Sequence, residues 1–248
     1  MDQTKAVVLS AGKGTRLHSA EHPQPKVLRQ AAGRPLLAWV LDALSFLPAQ
    51  DVILVGGYKK EQVFEAFSDH PHVTQEPQLG TGHAVQCAAP LLEGFSGTVL
   101  VCYGDMPLLK QETYLGLLAH HAASGAACTL LSGTSNEDLP YGRVLRDEAG
   151  NFRQVVEDRD CTPEQKLIRE LNVGIYAFRC QDLLPALAGL ENNNSQSEYY
   201  LTDVPALLLA AGKTVSVYAA ELNEQLIGVN TIEQLQQVEA YLQGRNPA

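Results

Sequence analysis

Short, unbroken apolar runs recur through the first half of the chain, at residues 6–9, 52–55, 99–102 and 128–131, each followed by a stretch long enough for a helix. An apolar run without polar alternation reads as a strand covered on both faces. Strands alternating with helices predict an α/β fold, Rossmann-like, with a mostly parallel central sheet and helices on both faces. Between the first two strands, residues 35–47 place Leu36, Leu37, Val40, Leu41 and Leu44 on one helical stripe. Pro35 suits the first turn, Pro48 stops the helix, and Trp39 is expected in the same core. A second helix is expected over 59–67, after the Gly56-Gly57 turn.

The periodicity changes near Leu139. Residues 142–146 and 152–157 flank a turn-forming Asp147-Glu148-Ala149-Gly150, which predicts a β-hairpin set on the parallel core. A strand over 172–178 leads to a helix near Leu183, and the polar run 191–197 reads as an exposed loop. A strand over 214–218 and a helix over 231–242, capped by Thr231, complete the pattern.

The residues that follow the strands carry the candidate chemistry, because open parallel sheets place ligands beyond their carboxyl ends. After the first strand comes Ser10-Ala11-Gly12-Lys13-Gly14-Thr15-Arg16, and ten residues later Pro25-Lys26-Val27-Leu28. Glycines let backbone amides converge on an anion, and Arg16 and Lys26 add two fixed positive charges, which suits a polyphosphate. The competing reading is a tight strand-to-helix turn with solvated cations. Gly12 and Gly14 are too close for a Walker A loop, and Leu17 stands where a dinucleotide fingerprint needs its third glycine. Asp105, in Tyr103-Gly104-Asp105-Met106-Pro107, could hold Mg²⁺ beside phosphates or could cap a helix. Gln75, ahead of Gly80-Thr81-Gly82-His83, offers an amide donor and acceptor that can read a pyrimidine edge; a polar loop capped by Thr81 is the alternative.

Composition narrows the field without choosing within it. At 248 residues, 45% apolar and 19% charged, the chain is an ordinary globular protein. A net charge of −10 with no basic block argues against nucleic acid as a partner. No apolar stretch approaches the roughly 20 residues of a membrane span, and acidic Asp2 precedes the first strand, so a cytoplasmic protein with no membrane partner is expected. The five cysteines are scattered without a Cys-x-x-Cys pair and read as buried, reduced thiols. The seven histidines lack metal-site spacing and read as loop or helix-surface residues.

Leu-x-Ala-Gly-x-Gly-Thr-Arg, Pro-Lys-Val-Leu, Gln-Leu-Gly-Thr-Gly-His-Ala, Gly-Asp-x-Pro-Leu, Tyr-Gly-Arg, Val-Glu-Asp, Asn-x-Gly-Ile, Glu-Tyr-Tyr-Leu-Thr-Asp and Gly-Val-Asn occur in one order from Ala6 to about Leu242. In this the chain resembles the bacterial UDP-N-acetylglucosamine pyrophosphorylases. The resemblance implies a nucleotidyltransferase fold in one domain over 1–248, with a nucleotide-binding half about 1–135, a sugar-binding half about 136–230 with the inserted hairpin, and a C-terminal helix about 231–242. It implies that Leu9, Ala11, Gly12, Gly14, Gln75, Gly80 and Thr81 bind the nucleotide, with Arg16 and Lys26 catalytic on the triphosphate. Asp105 and Asn230 resemble the family's Mg²⁺ ligands; without the resemblance, Gly228-Val229-Asn230 reads as a turn before a helix. Tyr103, Gly104, Asp105, Gly142, Glu157, Asn172 and Asn230 resemble its sugar-side contacts, and residues 198–203 resemble the segment that walls the sugar pocket.

The implied partners are UTP and a hexosamine 1-phosphate, and the oligomeric state stays open. Most family members continue into a left-handed β-helix acetyltransferase that this sequence does not reach. Three departures stand out: a longer loop between Arg16 and Pro25 that includes Pro23, Val173 where threonine is common, and Ser10 for a common alanine. The first is expected to alter the approach of Lys26 to the phosphates, and the second bears on the sugar's acyl group. Two rival functions remain: a nucleotidyltransferase with another base or acceptor, such as CTP with a sugar alcohol phosphate or GTP with a pterin, and a non-catalytic UDP-sugar sensor.

Overall fold

The computed structural model describes residues 3–14, 17 and 22–244. In chain order its strands are β1 (Thr4–Ser10), the two-residue β2 (Gln30–Ala31) and β3 (Arg34–Pro35), β4 (Val52–Gly56), β5 (His72–Thr74), β6 (Thr98–Tyr103), β7 (Cys128–Thr134), β8 (Gly142–Arg146), β9 (Phe152–Val156), β10 (Glu170–Arg179) and β11 (Val215–Ala219). The helices are α1 (Leu36–Ala43), α2 (Lys60–Ala66), α3 (Thr81–Ala88), α4 (Gln111–Ser124), the short α5 (Pro163–Lys166), α6 (Cys180–Ala188), α7 (Val204–Ala210) and α8 (Ile232–Leu242).

The central sheet runs β11-β7-β10-β6-β1-β4-β5, so the expected mostly parallel α/β sheet is present. Its one reversal is β10, which pairs antiparallel with both β6 and β7. Side chains leave β1 alternately to either face. Val7 and Leu9 join Ile53, Val55, Val99 and Val101 under α3, α6 and α7, whereas Ala6 and Val8 join Val52, Leu54, Leu100 and Cys102 under α1, α2 and α4. Each such buried valine or leucine contributes about 1.5–3 kcal/mol of transfer free energy, which is why these strands read as unbroken apolar runs.

The hairpin forms as β8 and β9, and β8 attaches it to the sheet by pairing Gly142 and Arg143 with Asn172 and Leu171 of β10. Asp147 closes the turn, its side chain accepting from the amides of Ala149 (3.0 Å) and Asn151 (2.8 Å). Thr231 caps α8 in a reciprocal box with Gln234.

Four details depart from the expectations. Helix α1 ends at Ala43, with Leu44 as its C-cap, short of 47. Trp39 is only half-buried: it lies off the apolar stripe, its indole N–H donates to Ala31 O at 3.0 Å, and Arg34 covers the ring at 4.5 Å. His121 is buried, paired with Thr129 Oγ1 at 2.9 Å, because the inner side of α4 turns it onto β7. Cys102, Cys128 and Cys180 are buried thiols, but Cys87 and Cys161 are half-exposed.

Candidate active site

Two glycine turns and one acidic strand end meet at the carboxyl rim of the sheet. At the end of β1, Ser10 spends its hydroxyl on Val55 O (2.8 Å), which ties the strand to β4 and makes the alanine-to-serine departure a matter of internal bonding. Ala11 O accepts from Tyr58 N (3.2 Å) and from the Gln78 amide. Gly12 and Lys13 are exposed, and Gly14 turns the chain at φ +61°, where other residues are strained. Arg16, expected on the phosphates, lies outside the described residues.

The second turn carries Gln75 and Gly80. Gln75 is buried; its Nε2 donates to Gly80 O (2.8 Å) and lies 3.2 Å from His83 Nδ1. With both amide hydrogens facing protein partners, its oxygen is what remains for a ligand. Gly80 has φ +110°, and a Cβ there would lie 2.6 Å from Tyr199 O and 2.8 Å from Tyr199 N. Tyr199 N–H donates to Leu79 O, Gly82 N–H to Tyr199 O, and Leu201 N–H to Thr81 Oγ1, so residues 198–201 are stitched along this turn.

Lys26, Asp105 and Asn230, far apart in sequence, converge. The Lys26 ammonium forms an ion pair with Asp105 and donates to Asn230 Oδ1 at 3.1 Å. Val229 N–H donates to Asp105 O at 2.9 Å, and Asn230 N–H to Gln234 Oε1 at 2.8 Å, so the backbone before α8 is pinned to the end of β6. Asp105 caps no helix; α4 begins at Gln111. Despite the longer preceding loop, Lys26 sits in a 3₁₀ turn (Lys26–Leu28) with its amine at this rim, while Lys59 and Gln62 hold the Pro23 carbonyl.

A cavity of about 520 Å³ runs from the first turn to the second and is lined by Leu9, Ala11, Gly12, Gln75, Gly80 and Thr81, among others. A second, of about 190 Å³, is lined by Gly142, Glu157, Asn172 and Gly174. Tyr103, Asp105 and Asn230 line both, so the Lys26–Asp105–Asn230 cluster stands at their junction. Gly14 and Gly104 line neither. Gly104 lies behind the wall, where a Cβ would press on Leu37 at 3.1 Å, and its amide donates to Leu9 O.

The smaller cavity is lined by two carboxylates, Asp105 at the junction and Glu157 on the far side. Glu157 Oε1 accepts from Thr202 Oγ1 at 2.9 Å; burial, then the neighbouring Asp203, Asp160 and Asp158, push its carboxyl above the usual range. Burial, with Glu157 and Asp105 nearby, likewise raises the Tyr103 phenol, which stays protonated. The Tyr103 ring lies where a Cβ on Gly174 (φ +80°) would fall. Asn172 donates to Tyr176 Oη (2.8 Å) and accepts from Gly174 N–H (3.3 Å). Val173 borders this cavity, but it is fully buried in the cluster that contains Leu222 and Leu226.

Among the described residues no three His, Cys, Asp or Glu side chains gather as a metal cluster. The rim nevertheless presents two hard oxygens, Asp105 Oδ2 and Asn230 Oδ1, to one cation-sized position now faced by an ammonium. That donor set fits Mg²⁺, which takes one or two protein oxygens and completes its shell with phosphate and water. Gln78, Glu198 and Thr202 were not singled out as individual residues by sequence reasoning. Gln78 and Glu198 line the larger cavity and Thr202 braces Glu157; all three lie within the quoted motifs, which gave them no separate role.

Glycine turns, a lysine paired with an aspartate and an asparagine, and two adjoining cavities at the strand ends of a mostly parallel sheet are the layout of an α/β nucleotide-handling protein. The chain belongs to the family of MobA-like NTP transferase domains, whose model matches residues 6–200. It is 44% identical over 248 residues to the "Bifunctional protein GlmU" of Pelobacter propionicus, covering 99% of this chain and 53% of that protein. The proteins of the same name from Pelotomaculum thermopropionicum (42%; 97% and 52% covered) and Brevibacillus brevis (40%; 99% and 53%) are similar in the same way. The chain thus spans about half the length of the curated relatives it matches. Among the described residues no helix is long and apolar enough to cross a membrane.

Proposed function

We propose that this chain is a uridylyltransferase that transfers UMP from UTP to N-acetylglucosamine 1-phosphate, releasing pyrophosphate, with Mg²⁺ as cofactor. The observation that carries the reading is the convergence of Lys26, Asp105 and Asn230 between a cavity sized for a nucleotide and a smaller one beside it.

The acceptor's phosphate oxygen attacks the α-phosphorus of UTP in line; that P–O bond forms as the bond to the bridging oxygen of pyrophosphate breaks. A phosphate monoester is already a competent nucleophile, so no general base is needed and positioning with charge neutralisation does the work. Lys26 offsets charge at the α-phosphate, and Arg16 with the 11–14 amides receives the departing pyrophosphate. Asp105 and Asn230 would hold the metal, which supplies Lewis-acid charge neutralisation of phosphate oxygens. Gln75 offers its acceptor oxygen to the uracil N3–H, and Glu157 and Asn172 face the sugar hydroxyls.

Pyrophosphate release measured over four nucleoside triphosphates and a set of sugar 1-phosphates, with and without Mg²⁺, tests this. UTP with N-acetylglucosamine 1-phosphate should be the best pair, and only with the metal. Binding of UDP-sugar without turnover would instead favour the sensor.

Glu157→Gln should raise the acceptor KM roughly tenfold, the effect of losing a charge-assisted hydrogen bond, and leave the UTP KM unchanged. Because burial raises this carboxyl, its stabilising contribution is present below the ordinary glutamate range and is lost as pH rises through the raised folded value. The glutamine has no such loss. Near neutral pH the variant should therefore melt at or above the wild-type temperature, and a lower Tm together with an unchanged acceptor KM would defeat the assignment.

A further inference from the structure

Two hydroxyls lie behind the smaller cavity without lining it, those of Tyr176 and Thr202. Both side chains are buried, Tyr176 completely, and each bonds one polar side chain that does face the cavity. A carboxamide such as Asn172 could present either its oxygen or its nitrogen to a ligand. Gly174 N–H can only donate, so the atom it meets at 3.3 Å is Oδ1. Nδ2 is thereby turned toward Tyr176, whose oxygen accepts at 2.8 Å. The Gly174 amide is itself held by the positive φ and the Tyr103 ring packed against it. On the other wall, Thr202 Oγ1 donates to Glu157 Oε1 at 2.9 Å and fixes which oxygen is left for a ligand. Thr202 is carried by a 3₁₀ turn (Leu201–Asp203) whose first amide is bonded to Thr81 on the nucleotide side, so it cannot drift with the hairpin.

We propose that Tyr176 and Thr202 are positioning residues that set acceptor selectivity from behind the cavity, by locking the Asn172 carboxamide and the Glu157 carboxylate in the orientations that a hexose hydroxyl pattern requires. This rests on the function proposed above. Neither residue touches substrate, so both act on acceptor recognition and leave the triphosphate chemistry alone. Loss of the Tyr176 hydroxyl leaves Asn172 held only by the longer Gly174 bond, loss of the Thr202 hydroxyl frees Glu157 to rotate, and in either case the site discriminates less between sugars that differ at one hydroxyl.

Steady-state kinetics of Tyr176→Phe, Thr202→Val and Thr202→Ser, with UTP and acceptor varied separately, test the idea. Tyr176→Phe and Thr202→Val should each raise the acceptor KM roughly three- to tenfold, the effect of one neutral hydrogen bond. The UTP KM should be unchanged and kcat should hold within about twofold. Preference for the gluco over the galacto 1-phosphate should fall in parallel, and Thr202→Ser should restore the wild-type values. An acceptor KM that does not move in either variant, or one that rises together with the UTP KM and a fallen Tm, would overturn the proposal and leave both hydroxyls as packing groups. A wild-type chain inert toward every sugar 1-phosphate would refute the underlying function instead, and this inference with it.

Discussion

Lys26→Ala is expected to lower kcat by roughly 10²- to 10³-fold, the loss seen when one preorganised charge-stabilising donor is removed, while UTP still binds. The base and ribose contacts proposed for the larger cavity come from Leu9, Ala11, Gln75, Gly80 and Thr81, none of which the Lys26 amine touches. Its partners are Asp105 and Asn230, at the junction with the acceptor side. The substitution should therefore act on the reacting phosphates and leave the uridine end alone. Lys26→Arg should not rescue, since a longer, planar fork does not place its charge where a compact ammonium would meet the α-phosphate. Single-turnover rates with UTP in excess, beside nucleotide affinity by calorimetry, separate the two effects. Wild-type turnover in the alanine variant would remove Lys26 from the chemistry.

The second large effect is expected at Gly80. Alanine there meets the Tyr199 backbone at 2.6 Å and 2.8 Å and the Glu198 side chain at 2.9 Å, at a φ of +110° that L side chains seldom adopt. Backbone strain and overpacking each cost about 1–3 kcal/mol, so Gly80→Ala should lose about 3 kcal/mol and melt roughly 6–12 °C lower for a chain of this size. The neighbours cannot yield cheaply, because Tyr199 is bonded through both N–H and C=O to Leu79 and Gly82. Relief must come from the turn separating from residues 198–201, which also moves the Gly80 carbonyl that orients Gln75. The UTP KM should rise with the loss of stability. Calorimetric melting and UTP kinetics on the same preparation check this; an unchanged Tm would mean that the clamp is looser than its geometry.

Why the sheet was legible and parts of the site were not follows from range. The runs at 6–9, 52–55, 99–102 and 128–131 are buried on both faces, so each strand declares itself within a few residues, as does Thr231 with Gln234 three positions on. Lys26, Asp105 and Asn230 could be grouped through the family resemblance, but the bond from Val229 to Asp105 that brings them together spans half the chain. Thr202 lies within the 198–203 motif without a role of its own there, and Tyr176 had no signal; each matters through a partner elsewhere on the backbone. His121 departs from a helix-surface reading because that reading ignores what packs on the helix, here Thr129 of β7. Val173 is governed by packing for a similar reason. It is one of the β10 side chains sunk into the core, while its neighbours Asn172 and Gly174 shape the cavity.

The reversed strand has a consequence for how the chain comes into being. β10 separates β6 from β7, yet both of those are synthesised before it. Until residue 179 has left the ribosome, each shows a bare edge of unpaired amides and carbonyls, the surface on which strands of different molecules associate. A premature union of β6 with β7 would have to come apart again. Closure of the sheet therefore waits on a late, long-range event, the kind that slows folding most, and the nascent chain is exposed to aggregation for as long as that wait lasts.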